Sequence, residues 1–168
     1  TQLSIYGINF DESAGSYFIG ETTGNPLYVT GGGSIQILPT LSATNAMETI
    51  EAPLVIEESG ATYTLANSSA SGTGAGSGTL DFNGSIQGGT GGNTVLDLVG
   101  SNTNQNIISG VIGNGLANTL SIVKTGLGTW VLSGSNSYTG GTKASGGTLE
   151  LNFAAVGAPS TNIVSPSS

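Results

Sequence analysis

The stretch NTLSIVKTGLGTWVLSGSNSYTGGTKASGGTLELN, which runs from Asn118 to Asn152, decides the fold of this chain. It contains three short runs in which two apolar residues flank a single residue. The flanking pairs are Leu120 and Ile122, Trp130 and Leu132, and Leu149 and Leu151. Because successive side chains of a strand point to opposite faces, this alternation is typical of strands with one buried face. Clusters of Gly, Ser, Thr and Asn between the runs predict tight corners and leave no room for a helix.

The order of residues in this stretch resembles the autotransporter-associated β-strand repeat, also called the passenger-associated transport repeat. The resemblance lies in LSIVKTGLGTW (Leu120–Trp130), LSGSNSYTGGT (Leu132–Thr142) and GTL (Gly147–Leu149). It departs at Ala144-Ser145, where the family more often has Val-Asn. The resemblance implies a right-handed parallel β-helix in a secreted or surface-displayed bacterial protein.

The rest of the chain has the same texture. An apolar–acid–apolar pattern recurs in TLDF (Thr79–Phe82), VLDL (Val95–Leu98) and TLEL (Thr148–Leu151). Repetition every roughly 16 to 25 residues is the mark of a solenoid, whose units bury their apolar faces by stacking, and it predicts roughly seven to ten rungs. We therefore predict an all-β, right-handed parallel β-helix (β-solenoid). A β-sandwich is the alternative, but its tight hairpins favour Asn-Gly turns, which occur only at Asn83-Gly84 and Asn114-Gly115.

The composition excludes several classes of partner. Only 7% of residues are charged, the net charge is −8, and the only basic residues are two lysines, so we expect neither nucleic-acid binding nor attraction to anionic membranes. No apolar run is long enough for a membrane-spanning helix. We interpret residues 1–168 as one β-solenoid module, with the family repeat at 118–152 and a continuation or linker at 153–168. Because the chain starts at Thr1 without Met, we expect it to be a portion of something longer.

Few residues offer catalytic chemistry. The absence of His and Cys removes serine and cysteine triads and zinc sites. A polysaccharide hydrolase would need two nearby carboxylates, and Asp81 with Asp97 is the best pair, with Glu150 in the same register. A lyase would depend on Lys124 or Lys143. We interpret the acids as a solvated face and Lys124 as the cap of a rung edge, and we expect no catalytic, cofactor-binding or metal-binding residue.

Other polar and aromatic residues have structural interpretations. GGTGGNTVL (Gly88–Leu96) nearly fits a calcium-binding nonapeptide, but it occurs once and Asn93 replaces the ligand aspartate, so the motif is weak. Glu48 with Glu51, Glu57-Glu58 and Asp11-Glu12 are interpreted as surface charge. An asparagine ladder inside the corners is expected from Asn102, Asn104 and Asn106. The aromatic residues, which are potential sugar platforms, are expected to pack in the core or corners: Tyr6, Tyr17, Tyr28, Tyr63, Tyr138 and Trp130.

The sequence thus favours a non-enzymatic structural module of a secreted or cell-surface bacterial protein. We expect it to be extracellular and to associate with itself, because the open ends of a solenoid leave strand edges that pair with another copy and build a fibre. The first alternative is an adhesin or carbohydrate-binding passenger, whose partners would be cell-surface glycans. A polysaccharide-degrading enzyme is the second.

Overall fold

The computed structural model describes residues 4–58, 60–161 and 163–164, and these residues form fifteen strands and no helix. The strands are β1 Ser4–Phe10, β2 Tyr17–Ile19, β3 Leu27–Ile37, β4 Ala46–Ile50, β5 Leu54–Ile56, β6 Thr62–Asn67, β7 Gly78–Phe82, β8 Ile86–Gly88, β9 Asn93–Gly100, β10 Gln105–Ile108, β11 Ile112–Gly113, β12 Thr119–Lys124, β13 Thr129–Leu132, β14 Thr142–Ala144 and β15 Thr148–Leu151. Across these described ranges, no helix is long and apolar enough to cross a membrane.

The strands stack in parallel on three faces. Face 1 contains β1, the second part of β3, β6, β9, β12 and β14. Face 2 contains β2, β4, β7, β10, β13 and β15. Face 3 contains the first two residues of β1, the first part of β3, β5, β8 and β11. Since β3 turns a corner, its residues 27–29 pair on face 3 while residues 34–37 pair on face 1. The predicted parallel β-helix is confirmed.

The described residues make six coils, numbered 1 to 6 from the first strand, because six strands stack on each of faces 1 and 2. This is fewer than the seven to ten rungs expected from the sequence. On face 1, Ser34 pairs with Thr64, Thr64 with Asp97, Asp97 with Val123 and Val123 with Lys143, so successive coils take 30, 33, 26 and 20 residues. The early coils are long because their corners are wide, as in the segment 68–77 between β6 and β7.

The apolar core lies inside the three faces and runs through all six coils. The alternating pairs of the sequence point into it as predicted: Leu120, Ile122, Trp130 and Leu132 are fully buried. Leu149 and Leu151 are half-buried, since they lie in the last coil and β13 of coil 5 covers them on one side. Among the aromatic residues expected to pack, Tyr63, Tyr138 and Trp130 are buried. The same expectation is wrong for Tyr6 and Tyr17, which are exposed on coil 1, where β1 and β2 are the outermost strands of the part of the chain that the structure describes.

Candidate functional surfaces and internal polar ladder

A column of glycines forms the corner between faces 2 and 3. A Cβ atom added at Gly84 would lie 2.2 Å from the carbonyl oxygen of Ala52, one at Gly110 2.0 Å from that of Gly84, and one at Gly134 2.3 Å from that of Gly110. No side chain fits between the coils here, because the backbone of one coil rests directly on the next. The turn clusters in the sequence were therefore correctly interpreted as corners of stacked coils.

We expect Gly110→Ala to destabilise the fold by about 3 kcal/mol, since the new methyl group would collide with backbone that cannot move independently. Gly141→Ala is the matched control: a Cβ there meets no heavy atom within 4 Å, and we expect a change within about 0.5 kcal/mol. Urea unfolding followed by circular dichroism measures both variants. Equal urea midpoints for the two variants would contradict the close approach of the coils.

Two asparagines inside the core each join the coil below to the coil above through side-chain hydrogen bonds. Asn106 lies one coil above Leu80, and its Oδ1 accepts the backbone N–H of Leu80 at 3.0 Å while its Nδ2 donates to the carbonyl of Thr129 in the next coil at 2.9 Å. Asn136 accepts the backbone N–H of Ile112 at 2.8 Å and donates onward to the carbonyl of Ile163 at 2.6 Å. Each amide therefore uses its acceptor on one coil and its donor on another.

In coils 3 and 4, the corner between faces 1 and 2 is filled by more such contacts. Asn67 donates through Nδ2 to Oδ1 of Asn106 at 2.6 Å, and Asn102 donates to Oγ of Ser69 at 2.9 Å. Asn102 and Asn106 are buried, whereas Asn104 bonds an exposed loop through Gly72. The predicted asparagine ladder is confirmed for Asn102 and Asn106, and it is wrong for Asn104, which lies on the outside of the corner. The ladder also includes Asn67 and Asn136, which the sequence analysis did not assign to it.

Lys124 closes the corner between the last coils. Its side chain is fully buried, and its Nζ donates to the carbonyls of Gly126 and Gly146 at 3.2 Å each and to that of Thr125. Burial lowers the pKa of the Lys124 ammonium, while the negative charge of Asp97 acts in the opposite direction. Lys124 thus caps a rung edge, as predicted. Lys143 lies exposed on the outer strand β14.

Asp81 and Asp97 do not form a catalytic pair. Asp81 lies on β7 of face 2 and Asp97 on β9 of face 1, because the apolar–acid–apolar pattern recurs on strands of different faces. Asp97 accepts the hydroxyl of Thr125 at 3.0 Å. Glu150 shares face 2 with Asp81, but β10 and β13 lie between their strands, and its Oε2 accepts the side-chain amide of Gln105 at 3.0 Å. The carboxylate pair that the alternative hydrolase hypothesis requires is therefore not assembled by these three acids.

The remaining candidates are dispersed. Asn93 of the near-calcium motif accepts a hydrogen bond from the hydroxyl of Thr119, its register partner on β12, at 3.0 Å. Over the ranges 4–58, 60–161 and 163–164, no group of three or more acidic residues is placed to hold a metal ion. Tyr28 is half-buried in a cleft of about 490 Å³ that also contains Thr30, Glu57 and Glu58. Oε1 of Glu58 accepts the hydroxyl of Thr30 at 3.0 Å.

Glu48 is not surface charge, which corrects the interpretation made from the sequence. It points into the core from β4 and is fully buried. Its Oε2 accepts the backbone N–H of Tyr17 at 3.1 Å, whereas its Oε1 is buried without a hydrogen-bond partner. Burial raises the pKa of Glu48 to about 7, and the N–H of Tyr17 lowers it in part. The signal was present in AMETI (Ala46–Ile50), since Glu48 shares its parity with the apolar residues at both ends.

The two ends of the stack leave strand edges unused. Among the described residues, β1 pairs only with β3 and β2 only with β4 at one end, while β14 pairs only with β12 and β15 only with β13 at the other. Coil 1 also exposes large apolar side chains, with Tyr6 70% and Phe18 72% exposed. Exposed, apolar edge strands of this kind are templates for pairing with another chain.

Comparison with known families defines the class of protein to which these features point. The family model described as Passenger-associated-transport-repeat matches residues 122–151. The matched stretch begins in β12 and ends in β15, so it covers most of coil 5 and the first two strands of coil 6. The chain is thus a parallel β-helix that carries a passenger-associated transport repeat, and the resemblance seen in the sequence is confirmed. Comparisons with curated proteins and with solved structures found no match.

Proposed function

We propose that this chain is a non-enzymatic structural module of a secreted or cell-surface bacterial protein, and that copies of it stack end to end into an extracellular fibre. The matched repeat supports the surface location, since its description associates it with the transport of passengers. The observation that carries the stacking is the edge of coil 1, where, among the described residues, residues 5–10 of β1 and the strand β2 pair with another strand on one side only, beside Tyr6 and Phe18.

The second copy is the occupant that fits this edge best. Its last coil ends in β14 and β15, which lie on the same faces as β1 and β2, so stacking would continue both parallel sheets without a change of direction. The charges are also complementary. The exposed Lys143 is on β14, and the exposed acids Asp11, Glu12 and Glu21 lie in the first coil. Such complementarity favours one orientation of the two copies over the other.

The test replaces an apolar edge residue by a charge. We expect the wild-type chain to form rods in electron micrographs and to sediment as a concentration-dependent series of oligomers. Phe18→Lys places a charge at the stacking edge and should return the protein to monomers. Leu127→Lys is the matched control, because Leu127 is 77% exposed but lies on a lateral corner of coil 5, and rods should persist.

Dispersed wild-type monomers at high concentration would overturn end-to-end stacking, and so would rods that survive Phe18→Lys unchanged. The competing hypothesis is glycan binding on an outward surface, for which the cleft beside Tyr28 is the best-placed feature. Glycan-array binding that is equal in wild type and Phe18→Lys, without rods, would favour that hypothesis.

A further inference from the structure

Glu48 makes the same downward contact as the asparagines of the internal ladder, and it lies in the same inward column of face 2 as Asn106. Asn106, Asn136 and Glu48 each point into the core, and each accepts the backbone N–H of the residue that lies directly below it in the preceding coil. For Glu48 that residue is Tyr17, its register partner on β2. This contact is one of the bonds that hold the N-terminal edge strand to the rest of the stack.

The second atom of the side chain distinguishes Glu48 from the asparagines. In Asn106 and Asn136 that atom is Nδ2, which donates to a carbonyl of the next coil. In Glu48 it is Oε1, which is buried and has no partner. An ionised carboxylate only accepts hydrogen bonds, whereas a protonated carboxyl group has one donor and one acceptor, as an amide does.

We propose that Glu48 is a proton-dependent lock on coil 1: as a neutral acid it substitutes for a ladder asparagine and holds β2 in place, and on ionisation it releases β2. The pKa of Glu48, raised to about 7 by burial, agrees with this assignment. Because the pKa is higher in the folded coil than its ordinary value of 4.5, the stabilisation is complete below pH 4.5, declines as the pH rises, and is lost above about pH 7.

The surroundings of Glu48 leave burial as the main cause of its raised pKa. The ionisable groups that face the core from the strands packed around β4 are the phenols of Tyr17 on β2 and Tyr63 on β6, and burial raises the pKa of Tyr63. Tyr63 uses its hydroxyl to accept the N–H of Glu58. Asp81 on β7 shares the register of Thr49 and so lies on the outward side of the sheet. Burial raises the pKa of Asp81 to about 6. The pH dependence of global stability would therefore contain contributions from both Glu48 and Asp81, so a local measurement at β2 is required.

Amide hydrogen exchange of the dilute monomer gives that local measurement. The backbone N–H groups of Glu51 and Ala52 donate to the carbonyl of Ile19 on β2, and with the N–H of Tyr17 they report whether β2 is docked. After correction for intrinsic exchange, we expect their opening equilibrium to increase about tenfold or more between pH 5 and pH 8, since one pKa unit corresponds to a factor of ten. Ser133, whose N–H bonds Ile108 inside the stack, is the internal reference and should change little.

Two variants separate the lock from a general charge effect. Glu48→Gln supplies an amide donor at every pH, so β2 should stay protected at pH 8 and lose its pH dependence. Glu51→Gln also removes one negative charge, but Glu51 lies outside the core and accepts the side-chain amide of Asn83 at 2.9 Å, so the wild-type pH dependence should remain. Constant protection of β2 in the wild type, or unchanged pH dependence in Glu48→Gln, would overturn the proposal.

The consequence for assembly rests on the proposed end-to-end stacking. Because coil 1 carries the N-terminal stacking edge, the wild type should form rods more readily at pH 5.5 than at pH 8, and Glu48→Gln should form them equally at both. The two ideas fail separately. If exchange shows the lock while sedimentation finds only monomers at both pH values, stacking is wrong and the lock stands.

Discussion

Replacing Trp130 by alanine is expected to remove about 3 to 5 kcal/mol of folding stability. Trp130 is fully buried, the centroid of its ring lies 6.3 Å from that of Phe82 two coils below, and its Nε1 donates to the carbonyl of Val99 at 3.0 Å. The variant would leave a large cavity and a carbonyl without a donor. Since whole domains are stable by only about 5 to 15 kcal/mol, the loss is a large share of the total.

Urea unfolding followed by far-ultraviolet circular dichroism measures this loss, because the fluorescence of the single Trp disappears in the variant. Trp130→Phe keeps an aromatic ring but loses the indole N–H, and we expect it to cost about 1 to 3 kcal/mol. Leu127→Ala, three residues away and 77% exposed in the wild type, should change stability by less than about 0.5 kcal/mol. A Trp130→Ala variant as stable as Leu127→Ala would contradict the central position of this ring.

The second large effect is expected from Asn106→Leu, at about 3 kcal/mol or more. Leucine has a similar volume, but it would remove the hydrogen bonds to the N–H of Leu80 and the carbonyl of Thr129, and it would leave the side-chain amide of Asn67 with only the carbonyl of Gly78. Each buried polar group that loses its partner costs about 1 to 3 kcal/mol. The same unfolding measurement applies.

Asn104→Ala is the matched control for the ladder. Asn104 is the neighbouring asparagine on the outside of the corner, where its side chain bonds the loop at Gly72 and water is available to replace the contact. We expect it to cost less than about 1 kcal/mol. If the two variants are equally stable, the ladder is not a principal source of cohesion between the coils.

These effects agree with the way the chain is built. Each coil of a solenoid contacts only its neighbours, so its stability is close to a sum of contributions from coils and from the interfaces between them. With no cysteine available for cross-links, the interfaces here consist of the apolar columns, the parallel backbone ladders and the internal amides. Changes to Trp130 or Asn106 act on such interfaces and should affect the middle and later coils first.

Several features of the molecule follow from local residue patterns. Alternation in the segment 118–152 placed Leu120 and Trp130 on the buried side of their strands, and the turn clusters marked the corners. The predicted ladder of Asn102 and Asn106 followed from polar residues recurring at a corner. These predictions hold because strand parity and corner geometry depend on neighbours in the chain.

Other features needed the register between coils, which local patterns do not contain. The number of coils depends on corners of unequal width, such as the segment 68–77, and not on the repeat of a strand pattern. Asp81 and Asp97 have the same local pattern but lie on different faces, because each coil contains three sides and the pattern does not say which one a strand joins.

The sequence by itself determined the class of fold and the parity of its strands, since both come from alternation and from glycine at corners. Only the tertiary structure decided that Glu48 lies above Tyr17 with one carboxyl oxygen unpartnered, and that, among the described residues, β2 of coil 1 pairs on one side only, beside the exposed Phe18. The physical reason is that burial and hydrogen bonding of these groups are set by residues about one coil away. Their contacts therefore exist only once the coils are stacked.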